Sequence, residues 1–164
     1  MNQRELKQYL DYNPTTGIFV WTKTRNGRIK AGQQAGSVGP RGYRTITLNR
    51  KVYREHRLAW LYVHGVWPTI LDHINRNPVD NRIENLREVT RSQNQQNRAQ
   101  DPRNKSGARG VIWAKHAKKW RAQIRLDKKS IYLGYFDTVE DASRAYVAAA
   151  KKYHTHNPVV ECAR

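Results

Sequence analysis

The chain has 164 residues, of which 31 are Lys or Arg and 13 are Asp or Glu, giving a formal charge of +18 with 38% hydrophobic residues. That length fits one or two small domains, and the charge points to a polyanionic partner, nucleic acid ahead of an anionic membrane surface. No apolar run approaches the roughly 18 residues of a membrane span, the polar start is unlike a signal peptide, and Cys162, the sole cysteine, excludes an internal disulfide and a four-cysteine zinc site, so the expectation is a soluble intracellular protein whose metal, if any, is held by oxygen or imidazole.

In chain order, Gln3 to Leu10 predicts a short helix, and Asn13-Pro14-Thr15-Thr16-Gly17 is turn chemistry ahead of a strand at Ile18 to Trp21. Residues 23 to 42 are rich in Gly, Lys and Arg. Tyr43 to Leu48 and Val52 to Arg54 then flank Asn49-Arg50 as a hairpin. His56 to His64 has helical spacing, with Leu58, Ala59, Tyr62 and Val63 on one side and Gly65 as the stop. His56 and His64 read as packing or surface residues of that helix. Ile70 to His73 is an apolar strand, followed by a polar loop at 75–85, a short strand at Leu86 to Val89, and a helix capped by Thr90 or Ser92. A turn-rich join at 101–107 marks the domain boundary. Beyond it, residues 109–113, Trp120 to Arg125 and Ile131 to Leu133 read as strands, the last two separated by a turn over Asp127-Lys128-Lys129-Ser130. Thr138 caps a final helix on which Ala142, Ala145, Tyr146, Ala149, Ala150 and Tyr153 recur at helical spacing, and His154-Thr155-His156 reads as exposed tail.

The charge is unevenly spread. Residues 1–70 carry 12 basic and 3 acidic side chains, residues 71–104 carry 6 and 5, and residues 105–164 carry 13 and 5. Two basic arms therefore flank a nearly neutral segment holding clustered Asp, Asn and His. Within it, the order strand, loop, strand, helix can gather Asp72, His73, Asn85 and Asn94. Their chemistry suits phosphodiester hydrolysis. Asp72 and the Asn94 amide oxygen are hard ligands for magnesium or manganese. His73 is the general base, and Asn85 can orient its ring or the substrate.

The segment resembles the HNH endonucleases with a ββα-metal core, particularly those of bacteriophages and the homing nucleases. The resemblance rests on Leu71-Asp72-His73-Ile74-Asn75, on Asp80-Asn81-Arg82-Ile83-Glu84-Asn85-Leu86-Arg87, and on Thr90 to Arg98, with Glu55-His56-Arg57-Leu58-Ala59-Trp60 and Asp11 to Gly17 similar upstream. It implies that His73 is the first motif His, Asn85 the central Asn, and Asn94 the occupant of the last His position, an H-N-N variant with Asp72 as the metal-binding carboxylate. An amide in place of that last imidazole favours a labile magnesium-type ion over zinc. Asn97 lies one turn beyond Asn94; motif spacing favours Asn94 as the ligand.

Downstream, Arg121, Gln123 and Arg125 alternate with Trp120, Ala122 and Ile124, so one strand face is basic and polar. Such a sheet can enter the major groove. Residues 108–156 resemble the three-stranded DNA-binding domain of the plant Apetala/ethylene-response factors, through Arg109-Gly110-Val111, Lys119 to Arg125, Tyr132 to Thr138 and the helix that follows. That resemblance implies DNA contacts by Arg109, Gly110, Arg125 and Tyr132, with Arg121 and Gln123 on the same face. Ile112 and Ala114 replace family arginines and Gln123 a frequent family Glu, so the plant target sequence does not carry over.

The resulting expectation is an α+β chain: an HNH module over 1–100 with N-terminal DNA-binding strands, a linker at 101–107, a three-stranded sheet packed on one helix over 108–156, and a tail at 157–164. It is a metal-dependent endonuclease of double-stranded DNA using one magnesium or manganese ion. One centre per chain implies nicking, and the family supplies homing as the role. The chain has no membrane partner, is a monomer or weak dimer for want of a long heptad run, and works in the host cytoplasm if phage-encoded. A non-cleaving DNA-binding regulator or packaging accessory is the alternative, and an RNA-binding protein is a further one.

Overall fold

A capping box starts the first helix: Asn2 Oδ1 accepts from the Glu5 amide and the Glu5 carboxylate accepts from the Asn2 amide, both at 2.9 Å, opening α1 (Gln3–Tyr9). In the computed structural model, which describes residues 1–24, 27–97, 103–127 and 129–156, the chain divides into two units, Met1–Val89 and Thr90–Arg164. Residues 101 and 102 of the expected linker and the tail 157–164 lie outside the described residues.

In the first unit α1 runs into β1 (Leu10–Asn13), antiparallel to β2 (Ile18–Trp21). Between them Asn13 Oδ1 accepts the amides of Thr15 and Thr16, the local bond that makes Asn a turn former. The sequence did not announce β1: Asp and Asn are poor strand residues, and pairing with β2 overrides that preference. Strands β3 (Ser37–Val38), β4 (Arg44–Leu48) and β5 (Lys51–Arg54) form a second sheet in that order. β3, also unannounced, arises within the Gly-rich stretch. The β4–β5 turn falls on Asn49-Arg50 as expected, with φ of 49° and 62°, the left-handed pair that matches the twist of a hairpin.

α2 (Glu55–His64) stops at Gly65, whose φ of 76° is easy only for glycine. Its buried face differs from the expected one: Glu55, His56, Leu58, Ala59 and Leu61 point inward, while Val63 is 41% exposed. The helix is phased by Glu55, fully buried, whose Oε2 lies 2.7 Å from Arg44 Nε. Burial raises the Glu55 pKa, and the Arg44 guanidinium opposes the rise. Leu6, Leu10, Phe19, Ile46, Leu48, Leu58 and Leu61 fill the core between α1, α2 and the two sheets. The last elements are β6 (Leu71–His73), a 3-10 turn (Ile83–Asn85) and β7 (Leu86–Glu88).

The second unit opens with α3 (Arg91–Gln96), capped by Thr90 and Gln93 reciprocally. Strands β8 (Val111–Ala114), β9 (Lys119–Leu126) and β10 (Lys129–Phe136) form an antiparallel meander, followed by α4 (Val139–Tyr153) with Thr138 as the expected cap. The β9–β10 turn is tighter than the four residues expected, because Lys129 and Ser130 already pair with Leu126 and Arg125. Alanines 108, 122, 142, 149 and 150 lie in the buried clusters that join α4 to the sheet, and their small side chains permit close approach. Gly110 is the tightest point. Its φ is 72°, and a Cβ there would lie 2.2 Å from the Tyr146 ring and 2.6 Å from the Gln123 carbonyl oxygen.

Gly110→Ala should therefore cost roughly 2 to 4 kcal/mol, from left-handed strain plus overpacking. In calorimetry, the unfolding transition of the second unit is expected to fall by about 10 °C or more, with that of the first unit unmoved.

Candidate active site

β6 and β7 pair with Asp72 opposite Arg87 and His73 opposite Leu86. The register explains the first contact: the Asp72 Oδ2 accepts from Arg87 Nη2 at 2.9 Å and Nε at 3.2 Å, a cross-strand ion pair that fixes a buried carboxylate. As the next residue in the strand, His73 leaves the ladder on the other side and meets different neighbours. Its Nε2 lies 3.2 Å from Asn81 Oδ1. Its ring stands edge-on to that of His56 at 4.9 Å and tilted to that of Tyr43 at 6.0 Å. Burial holds the His73 pKa below the usual imidazole value, although Asn81, Asp72 and Asp80 pull upward. His56 is driven lower still, to about 3, chiefly by burial and then by His73, Arg54 and Arg57. Both rings are thus neutral near pH 7.

Asn81 owes its place to the β1–β2 hairpin. The Tyr12 hydroxyl donates to the Asn81 carbonyl at 2.7 Å in a buried bond, and the Ile83 amide donates to the Pro14 carbonyl at 3.1 Å. Gly17 presses the turn against this segment so closely that a Cβ would lie 2.5 Å from the Arg82 nitrogen. The loop is also tied from within. Asn85 Oδ1 accepts the Asn75 amide at 3.0 Å, and its Nδ2 donates to Asn75 Oδ1 at 3.0 Å and to the Asp80 carbonyl at 2.8 Å. Asp80 accepts from Arg82 and from Asn75 Nδ2, and the Arg82 hydrogen bonds are the main reason its pKa falls to about 2.

Of the four residues singled out in the central segment, Asp72, His73 and Asn85 are buried within the first unit. Asn85 grips the loop, and the amide oxygen that meets His73 Nε2 belongs to Asn81. Asn94 is half-buried on α3 of the second unit, and Asn97 is the C-cap of that helix rather than a member of its last turn. In the sheet of the second unit, Arg125 and Tyr132 are exposed, and Arg121 and Gln123 are half-buried, with Arg121 Nη2 donating to Gln123 Oε1 at 2.8 Å. Arg109 donates to the Gln95 and Gln96 carbonyls at 2.6 and 2.9 Å, closing the end of α3, and Gly110 packs on Tyr146. Sequence reasoning missed Asn81, Tyr12, Arg87 and the adjacency of His56. Only His56 left a signal, as a polar residue beside the inner face of α2.

Two family models match the chain: HNH endonuclease over residues 53–96 and AP2 domain over residues 106–156. Protein 3.8 of Escherichia phage T7 is 31% identical over 81 residues, which is 48% of this chain and 67% of that protein. The chain belongs to the HNH endonuclease family. Its HNH domain is followed by an AP2 DNA-binding domain, the architecture expected from the sequence, in a phage nuclease-like family. No solved structure matches it significantly. Among the described residues no helix is long and apolar enough to cross a membrane.

HNH endonucleases generally use a divalent metal. Among the described residues no group of three or more His, Cys, Asp and Glu could hold one. Asp72, by contrast, is a hard oxygen donor whose position Arg87 fixes. A carboxylate oxygen is the kind of donor that a magnesium-type ion takes, because such an ion needs few protein ligands and completes its shell with water and substrate phosphate.

Tyr12→Phe leaves the buried Asn81 carbonyl without its donor. The expected cost is about 1 to 3 kcal/mol in urea unfolding, together with faster hydrogen exchange at the Ile83 amide as the hairpin loosens from the loop.

Proposed function

We propose that the chain is a metal-dependent endonuclease that nicks duplex DNA, with His73 as general base, Asp72 and Asn94 as oxygen ligands of one magnesium or manganese ion, and Asn85 as the residue that fixes the loop carrying Asn81. The observation that carries the reading is the Asn81 oxygen on His73 Nε2. An amide oxygen only accepts, so Nε2 carries the proton and the lone pair resides on Nδ1. A neutral imidazole whose tautomer is set by a fixed acceptor is suited to proton abstraction from water.

In the elementary step the oxygen of a water molecule bonds to phosphorus as a P–O ester bond breaks. The water's proton passes to His73 Nδ1, and the departing alkoxide takes a proton from solvent. A bound divalent ion would neutralise charge building on the phosphate and the leaving oxygen. The HNH match includes both Asp72 and Asn94, which supports their shared role. Arg121, Gln123, Arg125 and Tyr132 read DNA from the outer sheet face of the AP2 domain, and Arg109 and Gly110 take part from the edge next to α3. One centre cuts one strand, so a monomer or weak dimer suffices. The phage relative supports action in a bacterial host's cytoplasm, and the resemblance to homing nucleases gives homing of a mobile element as the role.

With magnesium, the wild type should nick supercoiled plasmid carrying the gene's own locus, and chelator should stop it. His73→Ala should lower the rate about 10²- to 10⁴-fold while leaving DNA affinity unchanged. Tight binding without nicking in magnesium or manganese would instead make the chain a non-cleaving DNA-binding protein. Arg125→Ala should weaken binding and reduce the salt dependence by about one counterion, read by fluorescence anisotropy.

A further inference from the structure

The β4–β5 hairpin and the β9–β10 hairpin are the same object repeated 78 positions apart. Ile46-Thr47-Leu48-Asn49-Arg50-Lys51 aligns with Ile124-Arg125-Leu126-Asp127-Lys128-Lys129. The pairing coincides residue for residue. Thr45 pairs with Arg54 as Gln123 pairs with Tyr132, Ile46 with Tyr53 as Ile124 with Ile131, Thr47 with Val52 as Arg125 with Ser130, and Leu48 with Lys51 as Leu126 with Lys129. Both turns open with a left-handed residue, Asn49 at φ 49° and Asp127 at φ 43°. Each hairpin has a third strand on its first strand's free edge and a helix following its last strand. Burial agrees too: Ile46 and Ile124 are buried, Thr45 and Gln123 half-buried, and Thr47, Val52 and Arg54 are exposed like Arg125, Ser130 and Tyr132.

The AP2 match begins at residue 106 and the HNH match at residue 53, so neither covers β3 and β4. We propose that the β3–β4–β5 sheet is a second duplex-DNA-binding surface, presenting Thr45, Thr47, Val52 and Arg54, the face opposite buried Ile46 and Leu48. This rests on the reading of the chain as a DNA-binding nuclease and adds the place where its N-terminal half takes hold.

The chemistry of the face names the occupant. Residues 36–54 contain five Lys or Arg and no Asp or Glu, and of the five only Arg44 is drawn inward, to Glu55. The face combines hydroxyls and a methyl-bearing Val with cations at its rim, and a groove of about 610 Å³ borders Ser37, Thr45, Thr47, Asn49 and Arg50. Hydroxyls can donate to or accept from base edges or phosphates, Val52 can contact a thymine methyl, and Arg50, Lys51 and Arg54 can neutralise phosphates. A twisted antiparallel ribbon has the width to enter the major groove. Two such surfaces on one chain bind more tightly than either alone, because holding one end raises the effective concentration of the other.

The test uses the full chain and a mixed-sequence duplex of about 40 base pairs, long enough for both sheets. The variants are the pair Thr47→Glu with Val52→Glu, the charge-matched control pair Val63→Glu with Val66→Glu at exposed positions outside the sheet, and Arg125→Glu in the counterpart hairpin. The proposal expects the acidic pair to weaken binding about tenfold, the control pair to bind like wild type, and both to unfold at the wild-type temperature. Amide exchange over 45–54 should slow when DNA is added. Wild-type affinity and unchanged exchange in the acidic pair, with Arg125→Glu weakened, would overturn the second surface and leave the DNA-binding reading intact. Failure of the wild type to bind the duplex would overturn both, and preference for the RNA duplex of the same sequence would reassign the face to RNA.

Discussion

A hydrogen bond of 2.7 Å from the Tyr12 hydroxyl to the Asn81 carbonyl connects the hydrophobic core of the first unit to the loop beside the buried His73 ring. Tyr12 sits beside Phe19 and Tyr62 in the packed interior, with ring separations of 4.6 and 5.6 Å, and so cannot move without disturbing that core. Asn81 in turn meets the His73 ring. A rigid aromatic cluster thereby sets the orientation of a buried imidazole through one backbone carbonyl. The loop could not do this alone, since a polar stretch between two three-residue strands has many conformations. Asn85, Asp80 and Arg82 tie it from within, and Gly17 and Pro14 tie it from outside.

Electrostatics divides the work. The central segment is close to neutral while the arms on either side carry the excess cations. Cations in the arms raise the local concentration of a polyanion and make its binding sensitive to salt. Cations crowded around His73 would disfavour taking up a proton. Three arginines of the first unit hold acidic partners for structural ends: Arg44 holds Glu55, Arg82 holds Asp80 and Glu84, and Arg87 holds Asp72. Each of these pairs fixes a turn, a helix phase or a strand register, which is why a sequence so rich in arginine still encodes a defined core.

Much of this was legible in the residues. The Asn49-Arg50 turn, the Gly65 stop, the Thr138 cap and the alternation of Arg121, Gln123 and Arg125 all depend on local rules, and all appear where those rules put them. The buried face of α2 is not legible from spacing because its phase depends on the ion pair with Arg44 of β4, and nothing near Glu55 in sequence announces that partner. β1 and β3 escaped notice for the same reason, being held by partners rather than by propensity. At the site, Asp72, His73 and Asn85 stood out by type and spacing. Asn81 did not, because its value comes from a hairpin about 69 residues upstream, a relation that periodicity cannot reveal.

The proposed role of His73 depends on which of its nitrogens carries the proton. Nitrogen-15 NMR of the ring at pH 7, in the full chain with selectively labelled histidine and His73→Gln to assign the signal, reads this directly. The prediction is a neutral ring protonated at Nε2, with Nδ1 bearing the lone pair. A ring protonated at Nδ1, or at both nitrogens, would contradict the Asn81 contact as the device that prepares His73 to act as a base.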